Sequence, residues 1–241
     1  MRVQKYLSRT GTASRREAER LMLQGRVRVN GRVVTTLGVK VRPGEDRVEV
    51  DGRRVEESPL RWVLFHKTRG SLTTRDDPGG RPTVYDLLPR EMEELRYVGR
   101  LDQDTEGLLL LTNEGDALHR LTHPSWEVER EYLVWVATEP SRRALRRLEE
   151  GVELEDGPAR AENVRVVERK GGKTVLSLVV REGRKREVRR LMEHVGHPAV
   201  GLRRVRFGPV RLGDLPVGQW RDLNQNEIRA LKARVRLEEE P

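Results

Sequence analysis

Gly99-Arg100-Leu101-Asp102-Gln103-Asp104-Thr105-Glu106-Gly107-Leu108-Leu109-Leu110-Leu111-Thr112-Asn113 places three carboxylates in a short polar turn that runs straight into four leucines. Four consecutive leucines bounded by polar residues read as a strand buried on both faces, not as the alternation of a surface strand. The turn therefore stands at the rim of a rigid sheet, where a working carboxylate is best held. Outward from it, Trp62-Val63-Leu64-Phe65, Tyr132 to Val136 and Val175 to Val180 read as further strands. Ala117, Leu118 and Leu121 mark a short helix, Ser141 to Glu150 a helix stopped by Gly151, and Lys185 to Val195 a third with apolar residues at helical spacing. Hairpin-like connections between strands predict an α+β domain with a mixed, mainly antiparallel sheet rather than a βαβ array.

Residues 1–58 read as a separate small unit. Ser14-Arg15-Arg16-Glu17 has the capping-box form, Ala18, Leu21 and Met22 make an apolar stripe, and Gly25 stops the helix. Val27 and Val29 alternate as a strand, Asn30-Gly31 is a hairpin turn leading to Val33-Val34, and Val48-Glu49-Val50 with Asp51-Gly52 closes the unit. The polar, proline-marked Glu56-Glu57-Ser58-Pro59 is the boundary; residues 59–236 form the second domain, and 237–241 an acidic tail.

The motif beginning at Gly99 resembles the signature of the pseudouridine synthases that modify ribosomal RNA, in the branch that holds small-subunit synthase A and large-subunit synthases B, E and F. The resemblance extends from about residue 2 to about residue 231. It implies a small N-terminal RNA-binding domain of the S-four type followed by a pseudouridine synthase catalytic domain. The motif's first acid, Asp102, is then the catalytic residue. Tyr132 matches a second motif, whose aromatic residue packs on the target base. Arg181 to Leu191 matches a third, in which Arg189 pairs with the catalytic Asp; such a pair depresses a carboxylate pKa and fixes its geometry. Arg184, Lys185, Arg186 and Arg190 are expected to face RNA phosphate. Arg100, beside Asp102, is expected to help hold the flipped nucleotide, and the resemblance implies that Arg81 lies on a loop set against RNA. The pattern Ser14 to Glu19 with Gly25 to Gly31 resembles the S-four-type module, which implies phosphate contacts from Lys5, Arg15, Arg16, Arg26 and Arg28. One departure is His66-Lys67-Thr68-Arg69-Gly70, where relatives carry Asn-Lys-Pro-Arg-Gly; without the proline the loop is expected to be less rigid.

Composition bounds the function independently. The chain of 241 residues carries 48 Lys+Arg against 39 Asp+Glu, a net charge of +9. Residues 1–58 alone hold 14 basic and 8 acidic side chains. The excess points to a polyanionic partner, nucleic acid before membrane surface. No apolar stretch reaches the roughly 20 residues of a membrane span, and the opening residues lack a signal-peptide core, so a cytoplasmic protein is expected. With no cysteine, disulfides, thiol catalysis and thiolate zinc sites are excluded. Histidines 119 and 123, and 194 and 197, have helical spacing but lack the acidic or thiolate partners of a metal site. The expectation is an enzyme with no metal or cofactor, monomeric, acting on ribosomal RNA, free or in a pre-ribosomal particle. The stretch Gln4 to Glu17 resembles the large-subunit synthases more than the small-subunit one, which implies 23S over 16S RNA as the target. Two other readings stand beside it: a non-catalytic RNA-binding assembly factor, and a magnesium nuclease built on Asp102, Asp104 and Glu106.

Overall fold

The computed structural model describes residues 1–56 and 59–237. Two compact units form: Met1–Arg61 with Glu91–Arg96 and Thr112–Gly115, and Trp62–Arg90 with Tyr97–Leu111 and the chain from Asp116 onward. Glu57 and Ser58 of the expected boundary, and the expected acidic tail apart from Leu237, lie outside the described residues.

The first unit contains α1 (Val3–Arg9), α2 (Arg15–Leu23), β1 (Val27–Val29), β2 (Arg32–Val33), β3 (Val48–Val50) and β4 (Arg53–Arg54), the strands ordered β2-β1-β3-β4. Ser14 caps α2 by accepting a hydrogen bond from the Glu17 amide at 3.2 Å. Only half of the expected capping box forms, because the Glu17 carboxylate turns outward to pair with Arg20 at 2.7 Å. Asn30 and Gly31 (φ 51° and 77°) and Asp51 and Gly52 (φ 52° and 77°) make the two tight turns in the left-handed conformations such hairpins require. Val3, Tyr6, Leu7, Ala18, Leu21, Met22, Val27 and Val48 form the core.

The second unit is built on one sheet. Its strands are β5 (Trp62–Lys67), β6 (Arg96–Val98), β7 (Glu106–Thr112), β8 (Arg130–Val136), β11 (Glu162–Lys170), β12 (Lys173–Val180), β13 (Ala199–Phe207), β14 (Val210–Arg211) and β15 (Trp220–Asp222). Around them lie α3 (Gly115–Thr122), α4 (Arg142–Glu150), the hairpin β9 (Val152–Leu154) and β10 (Gly157–Ala159), α5 (Glu187–His194) and α6 (Gln225–Arg234). The order is β11-β12-β8-β13-β7-β5-β15, with β14 paired to β13 and β6 to β7. Pairings β11–β12, β12–β8, β8–β13 and β15–β5 are antiparallel, and β13–β7 is parallel. The expected mixed sheet is thus present, and Leu108, Leu109, Leu110 and Leu111 are all fully buried at its centre. Leu108 and Leu110 pack with Trp62, Val98, Leu121, Phe207 and Leu231. Gly107 has a structural task at the start of β7. It sits at φ 112°, and a Cβ there would come within 2.3 Å of the Arg204 carbonyl oxygen across the parallel pair. Only glycine lets these two backbones approach so closely.

Candidate active site

A cavity of about 620 Å³ opens at the N-terminal end of β7. Asp102, Arg100 and Gln103 from the turn, Tyr132 from β8, and the segment Glu182–Val188 line it, together with Arg81 and residues 72–77. Tyr132, Val180, Leu202 and Arg204 come from adjacent strands, so the inner wall is sheet and the mouth is loop.

The Asp102 turn is pinned residue by residue. Thr105 N donates to Asp102 O at 3.0 Å, closing the turn. Thr73 Oγ1 donates to Leu101 O at 2.8 Å and accepts from Leu101 N at 3.3 Å. Gly70 N donates to Gln103 O at 2.7 Å, and Gln103 Nε2 returns a bond to Gly70 O at 3.1 Å. Beneath them Lys67, fully buried, donates from Nζ to the carbonyl oxygens of Thr68 (2.9 Å), Asp102 (3.2 Å), Gln103 (3.5 Å) and Thr105 (2.9 Å). Burial lowers the Lys67 pKa to about 8, against the opposing pull of Asp104, Asp102 and Glu106. The loop expected to be loose for want of a proline is therefore fastened by backbone hydrogen bonds and a buried ammonium.

The three acids of the turn diverge. Glu106 pairs with Arg203 at 2.6 Å, and Asp104 with Arg189 at 3.1 Å and Arg186 at 3.4 Å. Among the described residues, Asp102 makes no carboxylate ion pair and faces the cavity. Asp104 and Glu106 are thus engaged by arginines and do not converge with Asp102, which counts against the alternative reading of a magnesium nuclease. One expectation is corrected. Arg189 grips Asp104, not Asp102. Its Nη1 is tied to Ala199 O at 3.1 Å and its Nη2 to Asp104 O at 3.0 Å, which fixes the guanidinium on the outer side of the turn. Asp102 feels Arg189 only as a more distant charge.

The other expected site residues divide. Tyr132 is buried in the cavity wall, whereas Arg100 and Lys185 are exposed in its lining. Arg81 also lines it but is held by Asp77 at 2.7 Å. Arg184 and Arg190 are committed inward. Arg184 donates to Gly157 O, Pro158 O and Glu182, and Arg190 grips both oxygens of Asp156 at 2.7 and 2.9 Å. These two fasten the β9–β10 hairpin to α5 and do not present free charge to phosphate. Arg15, Arg16, Arg26 and Arg28 are exposed in the first unit and Lys5 is half-buried, with Arg26 doubly bonded to Asp51.

Contributors of three kinds, four residues in all, carry no signal in the sequence. Lys67 is one. Glu187 is another: buried, its pKa raised by that burial, it accepts from the Gly183 and Arg184 amides at 2.8 and 3.2 Å and so shapes the cavity wall. Third are the buried Arg130 and Arg204 at the cavity floor. Their polar neighbours are backbone carbonyls and aromatic rings, for which a sequence carries no signal.

Comparison with known proteins gives a consistent result. Residues 61–194 match the model for RNA pseudouridylate synthases, and residues 1–46 match the S4 domain. An RNA pseudouridine synthase of Aquifex aeolicus is 43% identical, covering 100% of this chain and 97% of that one. The Bacillus subtilis protein named ribosomal large subunit pseudouridine synthase B is 40% identical over 96% of each chain. A crystal structure of a pseudouridylate synthase superimposes with a TM-score of 0.67 at 29% identity, over 96% of this chain and 99% of the other.

Proposed function

The chain belongs to the RNA pseudouridylate synthase family, and from that premise we propose that it converts a uridine of 23S ribosomal RNA to pseudouridine with Asp102 as the catalytic carboxylate. The observation carrying this reading is that Asp102, alone of the turn's three acids, is left without a cationic partner among the described residues and lines the same cavity as Tyr132. A carboxylate committed to an arginine has lone pairs already engaged; Asp102 has them available for a sugar or base.

The chemistry asks for four things. A paired uridine must leave its helix, at a few kcal/mol, and enter the cavity. Tyr132 supplies a flat apolar face for the base. Arg100 and Lys185, exposed at the cavity, suit the flanking phosphates. Asp102, fixed by Lys67, Thr73 and Gly70, meets the nucleotide near C1′ without rearranging. Arg189 then acts at one remove, by holding Asp104 and with it the turn. Residues 1–58 serve as the RNA-gripping module and the remainder as the catalytic domain. The 23S assignment rests on the opening sequence and on the names of relatives such as the Bacillus subtilis protein.

Tritium release from transcripts carrying uridine labelled at C5 tests this reading, with 23S and 16S RNA assayed separately. The expected result is release from 23S alone, abolished by Asp102→Asn. Release from 16S alone overturns the target. An absence of release from both transcripts and from preassembled subunits favours an RNA-binding assembly factor.

A further inference from the structure

Beneath Tyr132 the cavity ends on two buried arginines. Arg204 lies directly across from Tyr132 in the β8–β13 pairing, so both side chains project from the same face of the sheet. It is 1% exposed. Its Nε donates to Leu108 O at 2.8 Å, its guanidinium lies over the Phe207 ring at 5.2 Å, and its Nη2 has no hydrogen-bond partner among the described residues. Arg130 is 6% exposed, lies over the same ring at 5.3 Å, and spends its Nη1 on the carbonyls of Val128 and Arg181. Both guanidiniums line the cavity that holds Asp102. Among the described residues neither is in an ion pair; the acid facing Arg130 is Glu187, at longer range.

Burying two like charges without a carboxylate is costly, since desolvation is uncompensated and each cation repels the other. The bonds to the Leu108, Val128 and Arg181 carbonyls and the stacking on Phe207 offset part of that cost, but none of them supplies a counter-charge. The arrangement becomes favourable when negative charge develops at the cavity floor. Walls of Val180, Val188 and Leu202 make this end suited to a planar base, while the exposed Arg100 and Lys185 suit hydrated phosphate.

Building on the pseudouridine synthase reading, we propose that Arg204, seconded by Arg130, stabilises the uracil anion formed when the glycosidic bond breaks. In that step the C1′–N1 bond opens and its electron pair stays on the base, spreading over N1, O2 and O4. The base turns, C5 forms the new bond to C1′, the C5 hydrogen leaves as a proton to solvent, and N1 takes up a proton. Atoms and charge balance without a co-reactant. A preorganised cation in a water-poor floor acts on the charge that the transition state develops and the bound uridine lacks.

The test compares single-turnover breaking of the C1′–N1 bond in two versions of an rRNA transcript that the wild-type chain converts, one with uridine at the target and one with 5-fluorouridine, which rejoins through C5 but has no C5 proton to release. Fluorine withdraws electrons and stabilises the departing anion, so a defect in anion stabilisation shrinks with the fluorinated base. Arg204→Gln is expected to slow uridine rearrangement about 100-fold and 5-fluorouridine rearrangement about tenfold or less, with RNA affinity within about threefold of wild type. Arg204→Lys keeps a cation but loses the fork; it serves if the glutamine variant does not fold, with a smaller defect that again shrinks on 5-fluorouridine. Equal slowing on both bases overturns the proposal and leaves Arg204 a structural tie to β7. Weakened RNA binding with unchanged single-turnover rates overturns it in favour of a phosphate contact. Failure of the wild type to convert any transcript would instead overturn the underlying function, a result separable from the variants' behaviour.

Discussion

Replacing Lys67 with methionine tests whether the Asp102 turn is held from below. Methionine matches the length and apolar stem of lysine, so the space stays filled while four carbonyls each lose one donor, of which Asp102 O and Gln103 O keep another from Thr105 N and Gly70 N. The two contacts at 2.9 Å, to Thr68 and Thr105, each count for about 1.5–3 kcal/mol with a charged donor, and those at 3.2 and 3.5 Å add little. Opposing this loss, methionine abolishes the desolvation that depresses the ammonium. The depressed pKa sets that offset at about 3 kcal/mol, so the net destabilisation is about 1–2 kcal/mol at pH 7. A pH signature accompanies it. The folded pKa of about 8 lies below the ordinary 10.5, so between these values the unfolded chain binds more protons than the folded one. Wild-type stability from this group therefore rises with pH across that window, by at most about 1.4 kcal/mol per unit, and the variant lacks the rise. Urea denaturation of both proteins at pH 7, 8, 9 and 10 reads the magnitude and the slope together. Turnover is expected to fall about 100-fold as the carboxylate loses its placement. Stability within about 0.5 kcal/mol of wild type, with no pH-dependent difference, would refute the reasoning.

Three further outcomes follow from the same geometry. Gly107→Ala drives a methyl into the Arg204 carbonyl at a positive φ, and a loss of more than about 3 kcal/mol, or failure to fold, is expected in thermal melts; a near-native melting temperature would show that β7 and β13 can part cheaply. Asp104→Ala removes the carboxylate pair with Arg189 and leaves Arg189 only its bonds to the Asp104 and Ala199 carbonyls, so kcat is expected to drop about tenfold with RNA affinity held, and an unchanged kcat would show that the Arg189–Asp104 pair does not position the site. Neutralising Arg15 and Arg16 together is expected to reduce the slope of log affinity against log salt by about 1–2 while leaving saturated turnover intact; an unaltered slope would remove both residues from the phosphate contacts.

Much of this architecture is written locally. The leucine run, the Asn30-Gly31 and Asp51-Gly52 turns, and the Ser14 and Ser141 caps are short-range signals, and each lies where its chemistry requires. What the sequence hid depends on partners far along the chain. Asp102 and Asp104 are equivalent as text; the Ala199 carbonyl, which fixes the Arg189 fork, decides that the second takes the arginine. Arg203, Arg204 and Arg206 stand within four residues of one another, yet the structure sends each to a different place. Strand alternation buries Arg204 over Phe207 and sends Arg203 to Glu106, while a register shift between residues 204 and 206 sends Arg206 to Glu129 and Glu131. Lys67 and Arg130 bond to backbone carbonyls, which every residue possesses. The strands β9, β10, β13 and β15 and the helices α1 and α6 lay outside the patterns read, because their apolar residues are few or interrupted by charge.

The central claim is that Asp102, with no ion-pair partner among the described residues, is the carboxylate that performs the chemistry and that the turn around it holds it in place. Asp102→Asn preserves shape and removes the charge, so binding and turnover of a 23S transcript, measured side by side on the folded variant, separate the two roles. Affinity within about threefold of wild type with pseudouridine formation reduced by at least about 10⁴-fold is the predicted result. Pseudouridine formed at a rate within about tenfold of wild type would contradict the account and move the catalytic carboxylate elsewhere.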